Sequence, residues 1–362
     1  MSDSFSTMHE IIVAARNNLP RSIWNYVTGA AETETTLRRN RLCLDSLALR
    51  PRILRDVREI DTETTFMGHT LRIPCLLAPI GSLQTVTPEG GIAVAKAAAE
   101  FGTMNLVSTV TEPALEEIAA STNHPKIFQI YVRGDYDWMD SLIDRARDAG
   151  YAALCLTVDS AYYGRRERQL ITGWRPPSIQ RYGDEARKNQ AGLTWEWMER
   201  MRERGGLPFI LKGVQTAEDA EIALSHGVDV IYVSNHGGRQ LDHGDGTIEI
   251  LKEVVAVVGN QAEIVVDGGF VRGTDVLKAL AIGATAVALG RFQGWALAAG
   301  GQPALVRALE IMEAEIRNAM GLVGVASIDE LDINFVKEAG AVGESHELSA
   351  FPFLPEEIRG QT

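Results

Sequence analysis

PFILKGVQTAEDAEIALSHGVDVIYVSNHGG, residues 208–238, reads as a strand, a helix and a second strand. Two apolar, β-branched runs, PFILKG and VIYVSNHG, flank an amphipathic segment, AEDAEIALSHG. A helical crossover of this length joins parallel neighbours. Working outward, the same unit recurs. On the N-terminal side lie PCLLAPIG (74–81), MNLVST (104–109), IFQIYV (127–132) and AALCLTVD (152–159). On the other lie EIVVDGG (263–269) and AVALGR (286–291). Helical segments such as GGIAVAKAAAEFG, DWMDSLIDRARDAG and GTDVLKALAIGA separate the runs. Eight such runs, apolar on both faces, predict an α/β fold built as a closed (β/α)8 TIM barrel. Spacing alone leaves an open doubly wound sheet as the alternative.

The barrel is expected to form one domain over 1–362. Residues 1–70 read as a helical, then coiled, N-terminal segment. Residues 172–206, after the fourth strand, form the longest irregular insert, polar at first and helical in its second half. Such inserts commonly serve as lids. Residues 340–362 read as a loosely structured C-terminal arm. The chain is 45% apolar over 362 residues, as in soluble proteins with a sizeable core. No apolar run approaches the roughly 20 residues of a membrane helix, and the opening residues lack a signal-peptide layout. A net charge of −13 argues against nucleic acid or an anionic membrane as partner. Cys43, Cys75 and Cys155 are widely spaced, with neither a metal nor a disulfide pattern, so the expected compartment is the reducing cytoplasm.

A barrel of this kind carries its active site at the C-terminal ends of its strands. In chain order those ends carry Pro79-Ile80-Gly81, Ser108-Thr109, Gln129 and Tyr131, then Thr157 and Asp159 with Arg165 and Arg166 beyond. Lys212, then Ser234, His236 and Arg239, then Asp267-Gly268-Gly269, then Gly290-Arg291 complete the ring. A structural rim does not require so many cations, hydroxyls and carboxylates. The last two ends are glycine-rich, and in such barrels they commonly cradle a phosphate on backbone N–H groups. His236 can act as a base near neutral pH, and Arg239, three residues on, offers a planar fork for a carboxylate. Asp242 and His243 read as loop residues, and Trp24, Trp138 and Trp174 as packing.

The motifs LPRSIWNYVTGAAE, RPRILRDV, APIG with TPEGG, QIYV, LTVDS with GRRE, LKG, SNHGGRQLD, DGG and GR together resemble the FMN-dependent L-2-hydroxy acid oxidase and dehydrogenase family. The resemblance runs from about residue 10 to residue 330. It implies bound FMN and oxidation of a 2-hydroxy acid to the 2-keto acid, with O2 or another electron acceptor closing the cycle. By that resemblance His236 is the base and Asp159 its orienting carboxylate. Arg239, Arg166 and Tyr26 hold the substrate carboxylate, and Tyr131 the reacting oxygen. Lys212 stands beside the flavin pyrimidine edge, and the Gly81 backbone near N5. Pro79, Ile80, Ser108, Gln129, Thr157, Ser234 and Asp267 accompany them in holding the cofactor. Gly268 also joins the cofactor-binding set, and the phosphate falls to Gly269, Gly290 and Arg291. A homotetramer is also implied.

The chain departs from that pattern at several places. Val271 stands where many members have an arginine on the phosphate, which predicts weaker FMN retention unless Arg272 turns inward. Gly81 and Val110 are small, and Tyr163 is aromatic; together they predict a roomier pocket and a bulky or aromatic, mandelate-like substrate. Ala161-Tyr162 and the short insert predict a more open entrance. A dehydrogenase with a quinone or cytochrome acceptor, and an FMN enzyme of specialised metabolism, are the alternatives.

Overall fold

The computed structural model describes residues 5–177 and 184–359. Three helices open it: α1 (Met8–Asn18), α2 (Arg21–Thr28) and α3 (Thr35–Asp45). A reciprocal cap between Thr7 and Glu10 starts α1, whose buried face carries Met8, Ile11, Ile12 and Ala15. After β1 (Leu47–Leu49) comes a hairpin of β2 (Thr64–Phe66) and β3 (His69–Leu71). Its inward residues Phe66 and Leu71 join the apolar cluster inside the barrel.

Eight parallel strands close that barrel: β4 (Cys75–Leu77), β5 (Asn105–Ser108), β6 (Lys126–Ile130), β7 (Ala153–Thr157), β8 (Phe209–Val214), β9 (Val230–Val233), β10 (Glu263–Val266) and β11 (Ala286–Leu289). Each pairs with the next in sequence, and β11 returns to β4 through Val287–Cys75, Ala288–Leu76 and Leu289–Leu77. The crossovers carry α4 (Gly91–Phe101), α5 (Leu115–Ala120), α6 (Tyr136–Asp148), α7 (Glu167–Thr172), α8 (Asp184–Ala191) and α9 (Trp195–Gly205). They continue with α10 (Ala217–Ser225), α11 (Thr247–Val258), α12 (Gly273–Ile282) and α13 (Arg291–Val323). Helix α13 breaks at Gly300–Gly301, where Gly301 takes φ 64°.

The insert divides by function. Its second half, α9, buries Met198 and Met201 and packs on α6 and β7, so it is the barrel's own fourth helix and not a lid. Within the first half, α8 is pegged to the barrel by Gln190. The Gln190 Oε1 accepts from Val132 N at 2.7 Å, and its Nε2 donates to Thr157 O at 3.1 Å. Part of the first half, 178–183, lies outside the described residues. The C-terminal arm is largely irregular but packed against the body of the protein. Just before it β12 (Val336–Glu338) pairs antiparallel with β1, and the arm ends in α14 (Glu356–Arg359). Between them Leu348, Phe351 and Leu354 are buried, and Phe351 meets His9 and Trp295 edge-on at 5.5 and 6.0 Å.

Candidate active site

The loop after β9 is bent by its own sequence. His236, Gly237 and Gly238 have φ of 58°, 62° and 76°, a left-handed run in which only His236 bears a side chain. Holding a non-glycine residue there costs on the order of 1–3 kcal/mol. Asn235 fixes the bend: its Nδ2 donates to Asn40 Oδ1 at 2.7 Å and to Asp245 O at 2.9 Å. Gly238 then lies against α3, where a Cβ would fall 2.6 Å from Leu37 N. The bend aims the imidazole back over the barrel. Across from it, the β8–β9 register shifts between Lys212 and Val214, and Gly213 takes φ 108°. A Cβ on Gly213 would come 2.8 Å from Asp159 Cβ, so glycine is required where Asp159 crosses.

These devices assemble one polar cluster. His236 Nδ1 lies 2.9 Å from Asp159 Oδ1, and Nε2 lies 3.2 Å from the Tyr131 hydroxyl. Burial alone would raise the Asp159 pKa, but the charges of His236 and Lys212 outweigh it and hold the group below its ordinary value. An ionised Asp159 makes Nδ1 the donor and leaves Nε2 as acceptor. Burial dominates at His236 and lowers its pKa despite Asp159, so the ring is neutral at pH 7. Burial also raises Tyr131, which stays protonated and donates. Lys212 Nζ donates to Ser234 Oγ at 3.0 Å. The carboxylates of Asp267 and Asp159 lie 3.8 and 3.9 Å from it and keep it charged against a burial that opposes this.

The cluster faces a cavity of about 610 Å³, in the range of small-molecule sites. Arg239 and Arg166 are among the arginines that reach it. Arg239 Nη1 donates to the carbonyls of Tyr26 and Gly29 at 2.7 and 2.8 Å, and its guanidinium lies 5.0 Å from the Tyr26 ring centre. Arg166 Nε donates to Arg239 O at 3.2 Å, and Nη1 donates to the Tyr163 hydroxyl. Neither forms an ion pair with a carboxylate among the described residues. Burial first, and the charge of Arg166 second, push the Arg239 pKa down to about 9. Two cations so placed call for an anion. Tyr26 closes the same end, its hydroxyl donating to Gly81 O at 3.0 Å and its ring tilted against Trp174. Arg165 instead pairs with Glu167 at the surface.

The other end suits a phosphorylated cofactor. Gly268 and Gly269 line it at φ 106° and 89°, and Gly290 stands at the start of α13 with open space where a Cβ would be. Arg291 is anchored on the carbonyls of Thr28, Gly237 and Gly29, and burial lowers its pKa to about 10. Pro79, Ile80 and Gly81 form the β4 wall. On the barrel floor Gln129 Nε2 donates to Thr157 Oγ1 at 2.8 Å, which leaves the buried Gln129 Oε1 without a partner. A glycine cradle, withdrawn cations and an acceptor awaiting a donor fit FMN, whose ring N–H and phosphate supply the complements.

Several expectations need correction. Arg272 does not turn inward: it pairs with Glu315 at 2.8 Å and stacks toward Phe351. Ser108 lines a hollow beside α5, with its Oγ accepting from Val110 N at 3.4 Å; like Gln129, Thr157 and Ser234, it does not itself line the main cavity. Gly81 and Val110 do not add their space, because a Cβ on Gly81 would lie 2.6 Å from Val110 Cγ2; the valine already fills that volume. The tip of Tyr163 is spent on Arg166. Sequence reasoning missed Arg41, Gln190 and Glu347, all lining the cavity. Arg41 is held bidentately by Asp275 at 2.7 and 2.8 Å, and Glu347 pairs with Arg168. Asp242 also does more than fill a loop. It accepts from Thr36 N at 2.8 Å and Thr33 Oγ1 at 2.6 Å, capping the start of α3.

Residues 15–338 match the family model described as FMN-dependent dehydrogenase. Among curated proteins, the 4-hydroxymandelate oxidase of Amycolatopsis orientalis is 38% identical, over 90% of this chain and 96% of its own. The L-lactate oxidase of a Nostoc species is 37% identical, over 89% of this chain and 95% of its own. Among solved structures, mandelate oxidase with (S)-4-hydroxymandelic acid superposes with a TM-score of 0.87 at 37% identity, covering 93% of this chain and all of that one. Mandelate oxidase with (S)-2-phenylpropionate gives 0.86 at 38% identity.

Proposed function

The chain belongs to the FMN-dependent dehydrogenase family, and from that premise we propose that it oxidises an aromatic or bulky L-2-hydroxy acid to the 2-keto acid, with dioxygen as terminal acceptor and hydrogen peroxide as product. The carrying observation is the opposition of His236–Asp159 and Tyr131 to Arg166 and Arg239, two cations that pair with no carboxylate among the described residues. Bound FMN supplies the two-electron acceptor. Arg166 and Arg239 bind the substrate carboxylate, and Tyr26 shapes that end of the cavity. Tyr131 donates its hydroxyl proton in a hydrogen bond to the reacting oxygen. His236 Nε2 takes up a proton that the acid loses, and Asp159 stabilises the imidazolium so formed. Lys212 holds a positive charge at the strand end where negative charge develops on reduction.

The glycines at 268, 269 and 290, with Arg291, hold the phosphate in this reading. Pro79, Ile80 and Gly81 flank the ring, while Gln129, Thr157, Ser234 and Asp267 support it from the floor. Tyr162, Tyr163, Val86 and Val110 line the outer cavity and favour an aromatic substituent. The mandelate-oxidising relatives support the same choice. We further propose a cytoplasmic homotetramer. Three free thiols fit a reducing compartment. Exposed Ile53 and Leu54, beside the end of α13 where Arg52 N meets Val323 O, fit a buried subunit contact. Light scattering of the purified protein checks the assembly.

The test of function is flavin absorbance after anaerobic mixing with (S)-mandelate, followed by admission of air. Fast bleaching with fast return of colour is expected. Colour that stays bleached in air replaces the oxidase by a dehydrogenase with another acceptor. A higher kcat/KM for glycolate than for mandelate removes the aromatic substrate.

A further inference from the structure

Tyr232 is fully buried inside the barrel, in the cluster that holds Ile127, Cys155, Ile210 and Val265. A phenol there costs free energy unless its hydroxyl is bonded, and Tyr232 donates to Asp267 Oδ2 at 3.0 Å. The other oxygen of Asp267 accepts from Ser234 Oγ at 2.7 Å. Both oxygens of Asp267 thus accept from neutral hydroxyl donors. Lys212 Nζ stays 3.8 Å from Asp267 and 3.9 Å from Asp159, beyond a direct hydrogen bond to either. It rests on Ser234 Oγ, with the Tyr232 ring centre 5.2 Å away. We infer that Tyr232 is a positioning residue for the redox reaction: by occupying Asp267, it keeps that carboxylate from closing on Lys212 and so sets the positive charge Lys212 presents to the flavin. This rests on the reading of Lys212 beside FMN.

Without the phenol hydroxyl, Asp267 Oδ2 has Lys212 as its nearest donor. Closing that gap to the roughly 2.8 Å of a charge-assisted bond draws the ammonium field into the barrel floor and away from the cavity. A flavin facing a weaker positive charge holds electrons less tightly. In the FMN-loaded Tyr232→Phe enzyme the two-electron midpoint potential therefore falls by about 30 mV, the equivalent of a tenfold change in the reduction equilibrium. Replacing Tyr232 by 3,5-difluorotyrosine, a stronger donor of similar size, raises it. An unchanged potential in FMN-loaded Tyr232→Phe, whatever its melting temperature, overturns the inference and leaves Tyr232 a packing residue. Should Tyr232→Phe lose the cofactor, the fluorinated variant decides, and no upward shift there overturns it equally. A wild-type chain that takes up no FMN sinks the parent reading instead.

Discussion

Gly81 and Val110 share one volume, since the Cβ that alanine would add lies 2.6 Å from Val110 Cγ2. Gly81→Ala is therefore expected to lower kcat/KM by about tenfold through a forced shift of Val110 or of the β4 end, and Gly81→Ala with Val110→Ala to recover most of it. A double-mutant cycle on kcat/KM reads this coupling, expected at about 1–2 kcal/mol. Proton transfer belongs to the same scale. In the proposed reaction His236 must be neutral to act, and its pKa is held below 6.5. kcat/KM is thus full at neutral pH and falls only as pH drops through that lowered value. Asp159→Asn removes a contribution that raises the His236 pKa, so the acid limb moves to still lower pH while kcat/KM falls by roughly 10²–10⁴-fold. A pH–rate profile of both forms checks limb and magnitude together. Much at this scale was legible because one short motif, SNHGGRQLD, carries both His236 and Arg239. The failures have a common cause. The commitment of Arg272 was invisible because its partner, Glu315, comes from α13, and Glu347 was missed because it arrives from the arm. Spacing along the chain reports neighbours within an element and is silent on side chains delivered from a distant one.

Helix α3 begins without a cap of its own: Glu34 precedes it at φ 59° and makes no side-chain capping bond. Asp242, from the loop that carries His236, supplies one. Burial raises the Asp242 pKa, but the donors of Thr33 and Thr36 outweigh it and bring it down to about 2. A depressed carboxylate stabilises the fold above its unfolded pKa of about 3.9 and loses that contribution as pH falls toward 2. Asp242→Ala is expected to cost about 1–2 kcal/mol at pH 7, with the difference from wild type vanishing toward pH 2. Urea titrations across that range measure it. Strands and crossovers were readable because each buried run is bounded by glycine, proline or a polar turn. The insert was harder: α9 carries charge on its outer face, and only its packing on α6 shows that it belongs to the barrel.

For the molecule as a whole, the end of the cavity proposed to hold the phosphate is expected to decide how firmly the cofactor is kept. Val271 lines the cavity, Arg272 is committed to Glu315, and Arg41 is committed to Asp275. Val271→Arg is expected to tighten FMN binding by roughly ten- to a hundredfold, from a charge-assisted bond of about 1.5–3 kcal/mol. Fluorescence titration of the apo-protein measures it, and unchanged affinity would show that the cradle needs no third cation. FMN at a hundred times its Kd adds about 2.7 kcal/mol to stability, so Tm of the two forms should separate at equal FMN concentration. One contact within this architecture also governs how the polypeptide is made. The apolar face of α1 lies along α13, and the barrel closes only when β11 meets β4. At roughly 5–20 residues per second a ribosome needs about 15–60 s to deliver the second partner after the first. Throughout that interval Ile11, Ile12 and the open β4 edge lack the α13 and β11 partners that cover them in the folded protein. The newborn protein is therefore a natural client for chaperones, and its yield should depend on their supply more than its final stability suggests.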